Sequence, residues 1–141
     1  MTNPTGTDPD CVFCKIVAGE LPSRKVYEDA HALAFLDLSP FHRGHTLVVP
    51  KRHVTDVVTA GGALTEIAPA IEQTGRLLVD RLSADGLNVF TSAGEVAGQE
   101  VFHLHVHLIP RYAERPGLRR LLDRSADDSA DELDAVLAEL S

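Results

Sequence analysis

Three histidines occupy alternate positions near the end of the chain, and large apolar residues fill the positions between them. They are His103, His105 and His107, in the segment VFHLHVHLIPR at residues 101–111. Because side chains of a β-strand alternate between its two faces, the pattern predicts a strand with three imidazoles on one face and, on the other, Phe102, Leu104, Val106 and Leu108. A solvent-facing strand usually carries Lys, Thr, Glu or Ser instead. Histidine indicates proton transfer, metal ligation or nucleophilic attack near neutral pH.

The size and charge of the chain narrow the classes of protein it can belong to. Its 141 residues and 44% hydrophobic content suit one domain with a core, and its net charge of −8 disfavours non-specific binding of nucleic acid through a basic surface. No apolar run has the length of a membrane span. Residues 1–10 are polar and lack both the basic region and the apolar stretch of a secretion signal. We therefore expect a disordered arm and a cytoplasmic protein.

Hydrophobic periodicity predicts one long helix and several short strands. An apolar stripe with helical spacing runs over residues 63–82, and the β-branched segment 45–50 is the strongest strand candidate. The remaining elements are predicted as a short helix at 12–18, strands at 24–28, 32–36 and 87–91, and a glycine-bearing loop at 92–99. Several strands around one long helix, with short connections, indicate an α+β fold with a mainly antiparallel sheet.

The tail after residue 115 differs in character from the segment before it. Residues 118–123 have the pattern of a helical turn. Ser129 and Glu132 have the spacing of a capping box, which is followed by an apolar stripe of Leu133, Val136, Leu137 and Leu140. We expect this short helix to dock on its own domain or on a partner subunit. The predicted organisation is an arm at 1–10, a domain at 11–115 and a tail at 116–141.

The histidine segment follows a loop that suits phosphate binding. Gly94 and Gly98 allow close approach of the backbone, and its N–H groups can donate to phosphate oxygens. A neutral imidazole can attack an electrophilic phosphorus with one nitrogen while the other nitrogen fixes the tautomer. Alternate strand residues are about 6.6 Å apart. His105 therefore has an imidazole on each side, and His107 could protonate a leaving group or hold a phosphate oxygen.

Four segments carry a specific resemblance to a known family. Residues 97–109 read AGQEVFHLHVHLI, and before them, in the expected order, stand FCKIVAGELP at 13–22, AFLDLSP at 34–40 and GHTLVVPKRH at 44–53. Together they resemble the histidine-triad (HIT) family of nucleotide hydrolases and transferases over residues 11–112. The resemblance implies a HIT-like α+β domain with a five-stranded sheet and one long and one short helix. It also implies a homodimer formed by joining two sheets.

The resemblance implies catalytic roles for three histidines. His105 is similar to the family nucleophile, which takes up a nucleoside monophosphate as a covalent nucleotidyl-histidine intermediate that water then hydrolyses. His107 matches the position that contacts the phosphate and assists the leaving group. His45 matches a supporting histidine beside the triad.

Nucleotide-binding roles are implied in the same way. Asp37 matches the carboxylate that accepts hydrogen bonds from the ribose hydroxyls. Seven further residues match family positions that bind the phosphate end of the ligand: Ser92, Gly98, Gln99, Glu100, Val101, His105 and His107. Many nucleoside phosphoramidases of the family carry Asn where Ser92 stands and Ser where Glu100 stands. These two departures leave the leaving group and the preferred bond type open.

Cys11 and Cys14 form a CxxC pair, which supplies half of a tetrahedral zinc site. Two further ligands are needed, and the candidates are His53 and His103. Bacterial members of the family with this CxxC are similar in using such a Cys₂His₂ set. A site with four protein ligands is structural, because no position stays open for substrate. The alternative is a pair of buried or free thiols; a redox pair is disfavoured because no βαβ pattern surrounds it.

Together with these residues, the resemblance implies hydrolysis of nucleoside 5′-monophosphate conjugates by attack of His105 on the α-phosphorus. By resemblance the nucleotide is a purine, AMP-like. The bond broken is P–N, as in adenosine phosphoramidate, or P–O–P, as in a dinucleoside polyphosphate. The alternative is a nucleotide-binding or partner-binding regulatory module with little turnover, which Ser92, Glu100 and the tail helix would suit. A zinc-dependent structural protein that binds no nucleotide is a third hypothesis.

Overall fold

Three helices and five strands lie in the part of the chain that the computed structural model describes, residues 6–118 and 129–141. In chain order they are α1 (Val12–Val17), β1 (Lys25–Glu28), β2 (Ala32–Leu36), β3 (Thr46–Pro50), α2 (Ala63–Leu82), β4 (Gly86–Phe90), β5 (Val106–Arg111) and α3 (Ala130–Leu140), with a 3₁₀ turn at Glu95–Ala97. The strands form one sheet in the order β1-β2-β3-β5-β4, and every neighbouring pair is antiparallel. The predicted α+β fold is confirmed.

Helix α2 covers one face of the sheet with the apolar stripe that its sequence predicted. Ile67 is fully buried in one cluster with Leu104 and Leu108 of the histidine segment. Burial of a large aliphatic side chain stabilises a fold by roughly 1.5–3 kcal/mol. Gly75 allows helix α2 to approach the sheet closely. A Cβ at this position would lie only 3.1 Å from a methyl carbon of Leu87.

The opposite face of the sheet carries a smaller cluster built around α1. Phe13 of α1 meets the ring of Phe35 edge-on, with centroids 5.5 Å apart. It shares a buried cluster with Leu33, Leu47 and Val49. The imidazoles of His103 and His105 lie against the same phenyl ring, at centroid distances of 5.9 and 5.2 Å. Helix α1 therefore supports the histidine face of the sheet.

The histidine segment is a strand only in its second half. β5 begins at Val106, so the prediction of a strand from residue 101 is wrong for residues 101–105. There the backbone has other partners: the N–H of Leu104 donates to the oxygen of Val54, in the loop after β3, at 2.7 Å. The side chains nevertheless keep alternating, since the apolar residues 104, 106 and 108 are buried in the α2 cluster.

Helix α3 forms with the predicted N-terminal cap. The hydroxyl oxygen of Ser129 accepts a hydrogen bond from the N–H of Glu132 at 3.3 Å. The four apolar residues of its stripe are between 42% and 78% exposed, so nothing in residues 6–118 covers them. The docking of this helix stays a prediction. The helical turn predicted at 118–123 lies, from residue 119 onward, outside the described residues.

Residues at the end of the predicted arm contact the domain. The oxygen of Gly6 accepts a hydrogen bond from the N–H of His53, and the N–H of Asp8 donates to Sγ of Cys14 at 3.4 Å. The boundaries of arm, domain and tail stay predictions. Among the helices of the described ranges, none combines the length and the hydropathy that crossing a bilayer requires.

Candidate active site and metal centre

A cavity of about 500 Å³ opens beside α1 and the ends of β2 and β3. Its volume lies within the range of small-molecule sites, roughly 300–1,000 Å³. The apolar part of its wall includes Val12, Phe13, Ile16, Phe35 and Leu47. The polar part includes Asp37, Glu100 and His105, and Gly98 and Val101 complete this side of the wall. Such a wall suits a ligand with a flat apolar ring and a polar end.

His105 lines this cavity with a defined tautomer. Its Nδ1 lies 2.8 Å from the main-chain oxygen of His103. A carbonyl oxygen only accepts hydrogen bonds, so Nδ1 carries a proton, and in the neutral ring Nε2 keeps a free lone pair. The hydroxyl of Thr91 donates to the oxygen of His105 at 2.7 Å and ties down its backbone. A neutral imidazole with one free nitrogen at a cavity can act as a nucleophile.

His45 and His107 form a hydrogen-bonded pair beside His105. The N–H of Phe41 donates to Nδ1 of His45 at 3.0 Å, so the proton of His45 is on Nε2. That Nε2 lies 2.9 Å from Nδ1 of His107 and donates to it, which puts the proton of His107 on Nε2. The rings of His105 and His107 are 5.0 Å apart between centroids. A proton donor therefore stands next to the candidate nucleophile.

Burial keeps this pair neutral. Burial, followed by the repulsion of His105 and His45, lowers the pKa of His107 to about 4. Burial also lowers the pKa of His45, against the opposing effect of the Asp37 carboxylate. One oxygen of Asp37 lies 3.6 Å from Nε2 of His45, and the carboxylate is within 4.8 Å of ring nitrogens of both histidines. The Asp37 carboxylate would stabilise an added proton on the pair by charge attraction.

Gln99 braces the loop before the histidine segment from inside. It is only 3% exposed, and its side-chain oxygen accepts from the N–H of Gly94 at 2.8 Å. Its amide nitrogen donates to the oxygens of Thr55 and Val101, at 2.7 and 3.0 Å. Gly98 has a φ of 102°, a left-handed conformation that favours glycine. The side chain of Gln99 thus shapes the loop, while the residues on either side of it line the cavity.

The predicted nucleotide-binding residues fall into two groups. The cavity is lined by Asp37, Gly98, Glu100, Val101 and His105. Ser92, Gln99 and His107 are not part of that lining, and Ser92 is half-buried. Glu100 is exposed, and within residues 6–118 and 129–141 no ion pair involves it.

Four predicted metal ligands converge beside α1. One ligand atom from each of Cys11, Cys14, His53 and His103 lies within 4.8 Å of the other three. Nδ1 of His103 is 3.4 Å from Sγ of Cys11, 3.5 Å from Sγ of Cys14 and 3.2 Å from Nδ1 of His53. Tetrahedral zinc, with Zn–S of about 2.3 Å and Zn–N of about 2.0–2.1 Å, requires S···N separations of about 3.5 Å and N···N of about 3.3 Å. The donor set fits a tetrahedral ion.

The groups around this cluster leave its ligand atoms free to bind a metal. Nε2 of His103 donates to the oxygen of Pro50 at 2.8 Å, which leaves Nδ1 free for the cluster. Burial lowers the pKa of His103 to about 4, so the ring is neutral. Burial raises the pKa of the Cys14 thiol to about 11. A bound cation would lower this pKa and favour the thiolate. The N–H of Asp8, which lies 3.4 Å from Sγ, would then stabilise the thiolate through a hydrogen bond.

Aromatic rings around the histidines are the part of the site that motif reasoning missed. Phe90 stacks on His107 with centroids 4.6 Å apart and planes 10° apart, and Phe41 stacks on His45 at 5.0 Å and 15°. Phe90 stands opposite His107 in the β4–β5 register, and directly opposed residues share a face of the sheet. Pairing the two predicted strands in register was the signal that could have found it.

Known proteins resemble the chain over most of its length. The family model of the HIT domain matches residues 18–114. Protein hit of Bacillus subtilis is 46% identical over 120 residues, which are 84% of this chain and 83% of that protein. Adenylylsulfatase HINT3 of Arabidopsis thaliana is 38% identical over 103 residues, which are 72% of this chain and 52% of that protein.

Solved structures agree with the sequence matches. SMU.412c of Streptococcus mutans has a TM-score of 0.83 and 43% identity, over 97% of this chain and 86% of that one. A HIT-family protein of Bacillus subtilis has a TM-score of 0.83 and 41% identity, over 93% and 94%. With this fold, these histidines and these matches, the chain belongs to the HIT-domain family, which includes nucleotide-binding proteins and hydrolases.

Proposed function

We propose that the protein hydrolyses nucleoside 5′-monophosphate conjugates with His105 as the nucleophile. The observation that carries the proposal is the 2.8 Å bond from Nδ1 of His105 to the oxygen of His103, which leaves Nε2 free at the cavity. Family membership supports the same chemistry. The catalytic residues are then His105, His107 and His45.

The reaction runs in two steps. Nε2 of His105 bonds to the α-phosphorus while the bond to the leaving nitrogen or oxygen breaks, and the oxygen of His103 stabilises the resulting charged ring through Nδ1–H. The anionic phosphoryl group favours an added proton on the His45–His107 pair, and His107 passes a proton to the leaving group. Water then attacks the phosphorus, returns a proton to His107 and releases the nucleoside monophosphate and His105.

Each part of the cavity binds a different part of the nucleotide in this proposal. The apolar wall around Phe13 and Phe35 stacks against a purine base, and Asp37 accepts hydrogen bonds from the ribose. Backbone N–H groups of Glu100 and Val101 hold the phosphate, in a loop that Gln99 braces. The N–H groups of residues 98 and 99 already donate to carbonyl oxygens of the same loop. An AMP-like group is the ligand that these surfaces suit.

The charge at the phosphate end favours P–N substrates. Glu100 exposes a carboxylate in the same cavity lining as His105. A dinucleoside polyphosphate brings several further negative charges to that end, whereas an amine leaving group brings none, and like charges in proximity weaken binding. We therefore expect adenosine phosphoramidate to be preferred over diadenosine tetraphosphate. Adenylyl sulfate belongs in the same substrate panel because a relative is an adenylylsulfatase.

Zn²⁺ is the metal proposed for Cys11, Cys14, His53 and His103. Four protein ligands leave no position for substrate, so the ion would supply stability rather than catalysis. It would tie helix α1 to the segment that carries His105.

The proposed assembly is a homodimer. β4 is an outer strand of the sheet, and its Val89 is 49% exposed. An outer strand with free backbone groups is a natural place for a second sheet to join. Light scattering should give twice the chain mass, and a monomer at micromolar concentration would contradict the assembly.

The test of the function is capture of the covalent intermediate. Rapid quenching of the enzyme with adenosine phosphoramidate should give an adenylyl adduct that peptide mass spectrometry locates on His105, with release of AMP. His105→Ala should show neither adduct nor turnover while it still binds AMP in a calorimetric titration. Normal turnover by His105→Ala would overturn the mechanism. Tight AMP binding without turnover across the panel would favour the binding module instead.

A further inference from the structure

Four aromatic rings follow one another through the candidate active site: Phe90 stacks on His107, His107 meets His45 edge to edge through their hydrogen bond, and Phe41 stacks on His45. The centroid distances along this aromatic column are 4.6, 5.1 and 5.0 Å, and the angles between successive planes are 10°, 34° and 15°. Aromatic pairs that attract each other have centroids about 4.5–7 Å apart. Each of the two imidazoles that handle the leaving-group proton thus has a phenyl ring stacked on one face.

The two phenyl rings are held independently of each other. Phe90 ends β4 and stands opposite His107 in the sheet register. Phe41 lies in the connection between β2 and β3, where its N–H also donates to His45 at 3.0 Å. Phe41 is 68% exposed and lines the cavity, so core packing does not account for its ring. Its ring also reaches His107, at 6.2 Å and 29°.

We propose that Phe90 and Phe41 are positioning residues, which fix the ring plane of the His107–His45 pair so that the N–H of His107 faces the leaving group. The inference rests on the proposed function, because it assigns the aromatic column to the leaving-group step of that reaction. A phenyl ring stacked on an imidazole opposes the rotation about Cβ–Cγ that would tilt the imidazole out of its plane. The π faces also stabilise the pair while it carries an added proton.

The two phenyl rings act only on the leaving-group step. They contact His107 and His45, whereas the tautomer of His105 depends on the oxygen of His103. The titratable and charged groups that act on the pair are His105, Asp37 and Arg111, and removal of a phenyl ring changes none of them. Loss of a phenyl ring should therefore slow departure of the leaving group more than attack.

Leaving groups of different basicity separate these effects. An alkylamine needs a proton before it can leave, whereas 4-nitrophenolate leaves without one. Phe90→Leu keeps an apolar side chain but loses the π face, and Phe90→Tyr keeps the ring. The matched control is Phe102→Leu, because Phe102 is 47% exposed and among the described residues has no ring contact.

The experiment compares kcat for an adenosine alkylphosphoramidate and for the 4-nitrophenyl ester of AMP. Phe90→Leu should lower kcat for the phosphoramidate by about 10-fold, a fraction of what general acid catalysis contributes. It should leave kcat for the ester within about twofold, and KM for both unchanged. Phe90→Tyr and Phe102→Leu should resemble the wild type on both substrates. Equal losses on the two substrates, or no loss on either, would overturn the inference.

A second readout does not depend on turnover. The ¹⁵N chemical shifts of the imidazoles should report one tautomer for His107, with the proton on Nε2, in the wild type. Phe90→Leu and Phe41→Leu, once shown to be folded by thermal unfolding, should shift and broaden the ¹⁵N signals of His107, because the ring is then less restricted to the plane in which it accepts from His45. Unchanged ¹⁵N shifts in both variants would overturn the inference. A wild type that turns over no substrate while these shifts change would contradict the proposed function alone.

Discussion

His103 and His105 stand two residues apart, yet they offer opposite ring nitrogens to their surroundings. His103 donates from Nε2 to Pro50 and presents Nδ1 to the thiols, whereas His105 donates from Nδ1 to His103 and presents Nε2 to the cavity. The residue type is the same, so the main-chain oxygen within reach decides the role. Four converging lone pairs make a closed metal-type cluster. A single lone pair at a cavity of about 500 Å³ makes a site that substrate can enter.

The largest effect should come from separating these two histidines by mutation. His105→Gln should lower kcat/KM by at least about 10³-fold, because it removes the nucleophile, with little change in metal content or Tm. His103→Gln should lose the metal and lower Tm while it keeps measurable turnover. Steady-state kinetics, metal analysis and thermal unfolding of both variants check this. Loss of turnover in His103→Gln with the metal retained would contradict the assignment of His103 to the metal and of His105 to catalysis.

Removal of the metal should mainly cost stability. Cys14→Ser should reduce the zinc content from one ion per chain to none and lower Tm by roughly 10 °C, the equivalent of a few kcal/mol. Elemental analysis and calorimetry measure both, and the matched control is chelated wild type with Zn²⁺ restored. A wild type that contains no metal and whose Tm ignores the chelator would support free thiols instead.

Stability should also depend on pH through the buried imidazoles. Burial holds the pKa of His103 and of His107 at about 4, below the usual value of 6.5. The unfolded chain therefore binds protons that the folded protein does not, so the stabilisation is complete above pH 6.5 and falls as the pH decreases towards 4. For the fully buried His103 the free energy of unfolding should fall by about 1.4 kcal/mol per pH unit.

Urea denaturation of the metal-free protein at several pH values in that window measures the slope. His107→Gln should make it shallower, because one of the imidazoles whose pKa is lowered by burial is gone. A slope that is absent in the wild type, or unchanged in the variant, would show that these rings are not held neutral by burial.

The smallest effect should be on substrate preference. Glu100→Ser removes the carboxylate from the cavity lining and should raise kcat/KM for diadenosine tetraphosphate, relative to adenosine phosphoramidate, by about 2- to 5-fold, as expected for one exposed charge. The control is Glu95→Ser, which makes the same change at an exposed position of the same loop outside the lining. An equal shift in both variants would mean that the net charge of the loop matters and not its place in the cavity.

Local sequence patterns were sufficient to predict most of the fold. The predicted bounds of α2 and β2 coincide with the observed Ala63–Leu82 and Ala32–Leu36, because strong periodicity and flanking turns are properties of neighbouring residues. The start of β5 was wrong because it depends on a distant partner. The N–H of Leu104 is taken by Val54, and no local signal marks that bond.

The candidate site divides in the same way. The candidate metal ligands lie together, and so do His45 and His107, as the motifs and the resemblance implied. The direction of the Gln99 side chain and the stacking of Phe90 and Phe41 depend on register and loop geometry. A one-dimensional pattern does not contain these. A residue that acts through its ring face, rather than through a polar atom, leaves no signature of its own.

The two carbonyl groups that orient His103 and His105 have a consequence for how such a site can change over evolution. Both acceptors, Pro50 and His103, use main-chain oxygens, which every amino acid possesses. No single substitution deletes them, and no change of pH titrates them. A nucleophile oriented by a carboxylate can lose its orienting group by one mutation. Here the orientation is inherited with the backbone, so selection is free to vary the side chains around it and with them the substrate.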